Sequence, residues 1–148
     1  MKKVAIFDLD GTLADGDHRI HHIRERSPKD WTAYFRACGQ DKPIRPVIDL
    51  FHALQNMGWH NEIWSGRSDM VIDETRDWLR QHGMGHVPLR MRALTDRTPD
   101  HVLKEQWLDL HLSEGGPMPC LILEDRDRVV RMWRSRGIQC LQVADGAF

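Results

Sequence analysis

The first apolar run of the chain ends in two acidic residues, and this pattern limits the possible folds more than any other feature. Residues 4–13 read V-A-I-F-D-L-D-G-T-L. Side chains of a strand alternate between its two faces, so we expect Asp8 and Asp10 to point to the same side. Gly11 ends the strand and allows the backbone to approach a ligand. Because two neighbouring carboxylates repel each other, a cation between them would stabilise the pair. The pattern predicts a magnesium site at a strand end.

Length and composition are those of one globular domain. The chain has 148 residues, of which 41% are hydrophobic and 29% charged, and its net charge of −1 predicts no general attraction to nucleic acids or anionic membranes. Its three cysteines, Cys38, Cys120 and Cys140, form no CxxC pair and indicate reduced thiols. The first apolar run is too short for a signal peptide or a membrane span. We therefore expect a cytoplasmic protein without membrane association.

Helix and strand patterns alternate along the rest of the chain. Pro46 favours a helix start and Gly58 an end, whereas Thr98 as the cap and Pro99 in the first turn favour the start of another helix. The predicted helices are 46–57, 69–82, 98–110 and 126–136, and the later strands are 59–64, 87–91, 120–123 and 138–143. This alternation predicts an α/β fold, a Rossmann-like three-layer sandwich with a mainly parallel five-stranded sheet.

Residues 14–45 interrupt this alternation. We interpret them as a small helical cap of two short helices inserted after the first strand, so that the core comprises residues 1–13 and 46–148. The aromatic residues Trp31, Tyr34 and Phe35 could stack a nucleobase or form the small core of the cap itself. A small cap leaves the cleft open, which favours a bulky or polymeric ligand.

Chemically reactive residues follow several predicted strands. In open parallel sheets ligands bind outside the carboxyl ends of the strands, and the residues expected there are Asp8, Asp10, Ser65, Gly66, Arg67, Glu124 and Asp125. Asp125 also stands where a helix N-cap is expected. Lys104 lies near the start of a predicted helix, but off its apolar stripe, so periodicity alone predicts a solvated lysine.

These residues resemble the four motifs of the haloacid dehalogenase superfamily of phosphotransferases. The motifs are Asp8-x-Asp10-Gly11-Thr12, Ser65, Lys104 and the acidic pair Glu124-Asp125. The nearer resemblance is to the 3′-phosphatase domain of phage-type polynucleotide kinase/phosphatases. It is carried by Ser65-Gly66-Arg67, by D-R-x-x-D-x-V-x-K-E at 96–105 and by D-R-x-x-V-V-x-M-W-R-x-x-G-x-x-C-x-Q-V-A-x-G-x-F at 125–148. The sequence contains no GxxxxGK[ST] loop, which leaves a separate kinase partner as an open question.

The resemblance implies a catalytic role for each residue. Asp8 would form an aspartyl-phosphate, and Asp10 would protonate the leaving oxygen and then deprotonate water. Ser65 and Lys104 would hold the non-bridging phosphate oxygens. The remaining implied roles are ligation of Mg2+ by Asp8, the Asp10 carbonyl, Asp125 and Glu124, and substrate contacts by Thr12, Gly66 and Arg67. Glu124 replaces the usual Asp and is one methylene longer, so it could reach the cation directly or through water.

The favoured function is a magnesium-dependent polynucleotide 3′-phosphatase, with a phosphorylated nucleic-acid end or a nucleotide as substrate. The first alternative is a phosphatase for free nucleotides or other small phosphomonoesters. Two non-enzymatic alternatives are a phosphoaccepting receiver and a nucleic-acid end-binding module. In receivers the acidic pair comes early and the phosphoaccepting Asp later, whereas here the order is reversed. An idle binding module would tolerate the loss of Asp8 or Asp10, and both are intact.

Overall fold

The computed structural model of the protein describes residues 2–148. The strands are β1 (Val4–Phe7), β2 (Ala14–Asp15), β3 (Lys42–Pro43), β4 (His60–Ser68), β5 (Leu89–Arg92), β6 (Leu121–Glu124) and β7 (Cys140–Gln142). The helices are α1 (His21–Arg24), α2 (Trp31–Arg36), α3 (Arg45–Asn56), α4 (Ile72–Gln81), α5 (Asp100–Ser113) and α6 (Asp127–Ser135).

A five-stranded sheet in the order β5-β4-β1-β6-β7 forms the centre of the molecule. All four strand pairings in this sheet are parallel, and β1 pairs with β4 on one side and β6 on the other. Parallel strands need crossover connections, which the helices provide. The expected α/β three-layer architecture is confirmed, and β1 is its central strand.

Side-chain alternation along β1 divides the core into two layers. Ala5 and Phe7 pack in one layer with side chains from α3 and α4, including Phe51 and Trp78. Val4 and Ile6 pack in the other layer with side chains of α5 and α6. All four β1 residues are buried. The next even-numbered residue, Asp8, is therefore directed toward the layer that contains α5.

Residues 14–45 begin and end in a two-stranded antiparallel sheet. Ala14 pairs with Pro43 and Asp15 pairs with Lys42, so β2 and β3 bring the two ends of the segment together. Between them lie the two short helices α1 and α2, and neither contains a buried residue. The segment thus has the two helices that were expected, and its role as a cap stays a prediction.

The structure corrects several predicted boundaries. Strand β4 continues to Ser68, so Ser65-Gly66-Arg67 lies within a strand that has an irregular register against β5, and not in a turn after it. Helix α5 begins at Asp100 after Pro99, and no side chain caps it. Thr98 does not cap this helix because Pro99 takes the position before its first residue, and the Thr98 carbonyl accepts a hydrogen bond from Arg92 in the loop.

The predicted N-cap role of Asp125 is also wrong. The residue before α6 is Arg126, and no side-chain hydrogen bond caps this helix. The carboxylate of Asp125 instead accepts a long hydrogen bond from the Thr12 hydroxyl, at 3.5 Å. Within residues 2–148, no helix combines the length and the apolar character that crossing a membrane requires.

We predict that Phe51→Ala lowers the free energy of unfolding by about 3–5 kcal/mol, because it removes a large side chain from a close-packed layer. Phe51 is 0% exposed, and its ring meets that of Phe7 edge-on at 4.9 Å. Urea denaturation measures the change. The control is Met57→Ala, since Met57 is 73% exposed and its loss should cost less than about 0.5 kcal/mol. Equal effects of the two substitutions would contradict this packing.

Candidate active site

A cavity of about 730 Å³ opens at the carboxyl ends of β1, β4 and β6. Its wall includes most of the residues that the sequence predicted for the site, namely Asp8, Asp10, Gly66, Arg67, Lys104, Glu124 and Asp125. Ser65 and Thr12 are 0% exposed. Neither is among the residues of 2–148 that line the cavity. The expected edge of the sheet is therefore the site of this cavity.

A buried lysine joins two carboxylates at the base of the cavity. Lys104 Nζ donates hydrogen bonds to Asp8 Oδ1 and Glu124 Oε2, both at 2.8 Å. Lys104 is 2% exposed, so the expectation of a solvated lysine from helix periodicity is wrong. The reason is its position in the first turns of α5, at the sheet edge where β1 and β6 end. At that edge, a side chain outside the apolar stripe of α5 contacts the carboxylates of Asp8 and Glu124 instead of water.

The other oxygen of Glu124 is occupied by the backbone. Glu124 Oε1 accepts hydrogen bonds from the amides of Asp125, at 3.2 Å, and Arg126, at 3.4 Å. The additional methylene lets the side chain fold back onto its own loop while it still reaches Lys104. Glu124 thus positions Lys104 and the start of the Asp125 loop.

The ionised carboxylates of Asp8, Glu124 and Asp125 together carry more negative charge than the single positive charge of Lys104 offsets. Burial, and then the charge of Glu124, raise the pKa of Asp8 to about 8. Burial, and then the charge of Asp8, raise the pKa of Asp125 to about 7. Burial alone would lower the pKa of Lys104, but the charges of Asp8 and Glu124 outweigh it and raise this pKa.

This charge excess fits a divalent cation. Asp8, Glu124 and Asp125 each offer a carboxylate oxygen, and these oxygens lie within 4.8 Å of one another. An all-oxygen donor set suits hard cations such as Mg²⁺. Among residues 2–148, the carboxyl group of Asp10 is not part of this group. The acidic neighbours of Asp8 are therefore Glu124 and Asp125, which corrects the expected side-by-side pairing with Asp10.

Gly11 leaves the room that Asp125 occupies. Its φ is +79°, and a Cβ built at this position would overlap the carboxyl group of Asp125. The Thr12 hydroxyl lies 3.5 Å from both Asp8 Oδ2 and Asp125 Oδ1. This turn thus brings the end of β1 against the loop after β6. The contacts of Thr12 are with these carboxylates, and its substrate contact stays a prediction.

Asp10 has a separate set of partners, formed by two arginines. Arg67 Nη2 donates to Asp10 Oδ1 at 2.6 Å, and Arg19 Nη2 donates to the same oxygen at 2.7 Å. Although burial favours the neutral acid, the charges of Arg67 and Arg19 lower the pKa of Asp10. This arrangement favours the ionised form of Asp10.

A second carboxylate, Asp41, holds the two arginines in place. Asp41 is 5% exposed and accepts hydrogen bonds from Arg19 Nε at 2.8 Å and Arg67 Nη2 at 3.2 Å. Arg67 also donates to the Thr75 hydroxyl at 3.0 Å. Arg67 therefore contacts two carboxylates, and its predicted contact with phosphate stays a prediction. Sequence reasoning missed Arg19 and Asp41, because neither belongs to a strand end or an apolar stripe.

The wall also contains Gly66 and Arg67 of the Ser65-Gly66-Arg67 segment of β4. Ser65 Oγ accepts a hydrogen bond from the amide of Arg67 at 3.1 Å, and its predicted contact with phosphate stays untested. A Cβ at Gly66 would overlap the Asp100 carboxylate, which pairs with Arg92 and Arg126. Sequence reasoning did not assign Asp100 to the site, although it lies in the D-R-x-x-D-x-V-x-K-E stretch.

We predict that Gly11→Ala destabilises the fold more than Gly58→Ala, because only the first substitution forces a methyl group into Asp125. Both glycines have a positive φ, +79° and +87°, but Gly58 has no neighbouring atom within 4 Å of a built Cβ. Gly58→Ala should cost about 1–2 kcal/mol for the backbone alone. Chemical denaturation of both variants measures the difference. A cost for Gly11→Ala no larger than that for Gly58→Ala would contradict the close approach.

Comparison with known proteins agrees with this geometry. The family described as the polynucleotide kinase PNKP phosphatase domain matches residues 2–148. A chain from the structure of the Pnkp1/Rnl/Hen1 complex is 29% identical with a TM-score of 0.78; the match covers 100% of this chain and 48% of that one. This chain thus spans about half the length of that relative.

Two further structures share the fold. A class C acid phosphatase from Bacillus anthracis is 17% identical with a TM-score of 0.69, over 100% of this chain and 69% of that one. The haloacid dehalogenase-like hydrolase SP0104 from Streptococcus pneumoniae is 19% identical with a TM-score of 0.61, over 95% of this chain and 84% of that one. The family match over residues 2–148 decides the assignment. The chain is a phosphatase of the haloacid dehalogenase superfamily and belongs to the family of PNKP phosphatase domains.

Proposed function

We propose that the protein is a Mg²⁺-dependent phosphomonoester hydrolase that forms an aspartyl-phosphate on Asp8 and removes 3′-phosphates from polynucleotide ends. One observation carries the proposal. The Asp8 carboxylate lies in the wall of an open cavity, hydrogen-bonded to Lys104 at 2.8 Å, with oxygens of Glu124 and Asp125 within 4.8 Å.

The two oxygens of Asp8 differ in their surroundings. Oδ1 accepts the strong hydrogen bond from Lys104, whereas the contact of Oδ2 with Thr12 is long, at 3.5 Å. Oδ2 is therefore the better nucleophile. In the first step a bond forms between Oδ2 and phosphorus, and the bond from phosphorus to the 3′-oxygen breaks. Lys104 orients the carboxylate and offsets negative charge where the phosphoryl group arrives.

Asp10 acts as the general acid in the first step and as the general base in the second. In the first step it transfers a proton to the leaving 3′-oxygen. In the second step it takes a proton from the water that attacks phosphorus, which breaks the bond between Asp8 Oδ2 and phosphorus and releases inorganic phosphate. The ion pairs with Arg19 and Arg67 hold it in the ionised form that the second step requires. A substrate phosphate that binds Arg67 would compete with Asp10 for the hydrogen bonds of Arg67. This competition would favour the protonated form of Asp10, which the first step requires.

Asp8, Asp125 and the backbone carbonyl of Asp10 would hold the cation, with Glu124 beside them. Mg²⁺ bound there would supply the positive charge that offsets repulsion between the carboxylate and the phosphate. Ser65 would contact the phosphate through its hydroxyl, and Gly66 through its backbone.

A nucleic-acid end is the substrate that the comparisons favour. The relative at 28% identity over 44% of its own length is part of a structure described as the Pnkp1/Rnl/Hen1 RNA repair complex. The family is that of a polynucleotide kinase phosphatase domain. Because the family description names a polynucleotide kinase, a kinase activity is the partner that we propose.

We predict magnesium-dependent release of inorganic phosphate from a 3′-phosphorylated oligonucleotide, faster than from a 3′-nucleotide or a 5′-nucleotide. DNA and RNA versions should be compared. Asp8→Asn should lower turnover about 10⁴-fold, because the amide is a poor nucleophile. The matched control is Asp77→Asn, the same change on the exposed surface of α4, where Asp77 pairs with Arg80.

The other outcomes of this assay identify the alternatives. Equal or faster turnover of free nucleotides would replace the polynucleotide substrate by a small phosphomonoester. Phosphorylation of one group per chain without turnover would indicate a receiver, and end binding without hydrolysis would indicate a binding module. Full activity of Asp8→Asn would overturn the assigned nucleophile.

We also predict that Mg²⁺ raises the melting temperature. A ligand that binds only the folded state adds about 2.7 kcal/mol of stability at roughly 100 times its Kd. Differential scanning fluorimetry of the protein with and without Mg²⁺ measures this shift. Asp125→Asn should reduce the shift, whereas Asp77→Asn should keep it. An unchanged shift in Asp125→Asn would contradict the assignment of Asp125 as a ligand.

A further inference from the structure

The cavity has an apolar wall that the phosphate chemistry does not use. It is formed by Ile20, Ile23, Trp31, Tyr34 and Phe35, which all belong to the 14–45 segment and line the same cavity as Asp8 and Lys104. Trp31 is 48% exposed, and the other four side chains are half-buried. The cavity therefore joins a charged end, suited to phosphate, to an aromatic end.

The three aromatic rings pack against one another, and of the three Trp31 is the most exposed. Trp31 stacks on Phe35 with a centroid distance of 6.0 Å, and it meets Tyr34 edge-on at 5.8 Å. None of the three belongs to either core layer of the sheet. Their mutual contacts fit the interpretation of a small cap core, yet the exposed surface of Trp31 is larger than such a core requires. A flat apolar surface therefore faces the cavity.

Arg19 fixes this wall relative to the catalytic carboxylate. Its Nη2 donates to Asp10 Oδ1 at 2.7 Å, and its Nη1 donates to the backbone carbonyl of Tyr34 at 3.2 Å. The guanidinium group also lies over the Tyr34 ring, 4.4 Å from its centroid. Because Arg19 is 1% exposed, this link is part of the packed structure. The aromatic wall is thus held at a defined place relative to Asp10, the residue that we propose to protonate the leaving oxygen.

The charges around the wall suit a phosphodiester chain. Arg24 lines the cavity next to Ile23, and the ammonium group of Lys29 lies 5.8 Å from the centroid of the Trp31 ring. Aromatic faces stack on nucleobases without regard to sequence, and nearby cations attract the backbone phosphates. A nucleobase attached to the sugar that carries the 3′-phosphate therefore matches both the aromatic wall and its charged surroundings.

We propose that Trp31 stacks on the nucleobase of the nucleotide whose 3′-phosphate is removed. The inference rests on the proposed function and adds a binding site for the terminal base. It gives α2 a role in substrate specificity, because small esters without a base would lose this contact. The same site would accept the base of a free 3′-nucleotide, and a polynucleotide would add contacts of its backbone with Arg24 and Lys29.

Two matched oligonucleotides test the proposal in the complete chain. Both carry a 3′-phosphate; one has a normal terminal base and the other an abasic terminal sugar, and a free 3′-nucleotide serves as a third substrate. The variants are Trp31→Ala, Trp31→Phe and the control Met57→Ala. The control removes an exposed side chain in the turn between α3 and β4, outside the cavity wall. Circular dichroism and thermal melting verify that each variant folds, and steady-state kinetics separate KM from kcat.

We expect Trp31→Ala to raise KM for the normal oligonucleotide by about 10-fold, within the range typical of base stacking, and to leave kcat unchanged. The wild type should show a similar rise in KM for the abasic substrate. Trp31→Ala should cause no further rise with that substrate, since the contact is already absent. Trp31→Phe should retain most of the affinity, and Met57→Ala should behave as the wild type. A raised KM for the free 3′-nucleotide in Trp31→Ala would show that the base alone is sufficient.

Two results would overturn the stacking. The first is an equal rise in KM for the normal and the abasic oligonucleotides in Trp31→Ala, which would indicate a structural role. The second is an unchanged KM for the normal oligonucleotide. In either case wild-type turnover of the normal substrate would leave the proposed 3′-phosphatase function intact. Absence of wild-type turnover of every 3′-phosphorylated substrate would instead reject the proposed function, and the stacking with it.

Discussion

The buried ammonium group of Lys104 is the contact on which the rest of the site depends. It joins α5 to the ends of β1 and β6 through hydrogen bonds of 2.8 Å to Asp8 and Glu124. Such a buried ion pair adds little net stability, because desolvation of the charges offsets their attraction. Its contribution is to fix the positions of the three side chains. Loss of any one of them would leave the charges of the others buried and uncompensated. Asp8 is therefore held at one place in the cavity, and the excess negative charge around it remains available for a cation.

A second group of charges surrounds Asp10, two residues after Asp8. Asp10 is held by Arg19 and Arg67, and both arginines are held in turn by Asp41. The two aspartates of the first motif thus have opposite electrostatic surroundings, because Asp8 lies among carboxylates whereas Asp10 lies between guanidinium groups. Burial and like charge raise the pKa of Asp8, and the arginines lower that of Asp10. Arg19 also contacts Tyr34, and it therefore joins Asp10 to the aromatic wall of the 14–45 segment.

Local patterns predicted the fold and much of the site, and they failed where distant segments meet. The alternation of apolar residues in β1 and the order of helices and strands were sufficient for the parallel sheet. The acidic strand ends led to Asp8 and Asp125. Helix periodicity placed Lys104 in solvent, because it reports which face of a helix is apolar and carries no information on what meets the polar face. The capping patterns at Thr98 and Asp125 also failed. The Thr98 carbonyl is bound by Arg92, and the Asp125 carboxylate lies against the turn after β1.

The sequence by itself determined the layers of the fold, the edge of the sheet at which the cavity opens and, through its resemblance to known motifs, the class of chemistry. These properties follow from short-range periodicity and from strand ends, which any local stretch of chain reveals. Only the tertiary structure decided that Asp8 shares Lys104 with Glu124, that Asp10 shares its arginines with Asp41, and that Trp31 faces the same cavity as both aspartates. Those relations join residues that are far apart in the chain, and their geometry depends on how the helices pack across the sheet and on which charges become buried together. No local pattern contains that information.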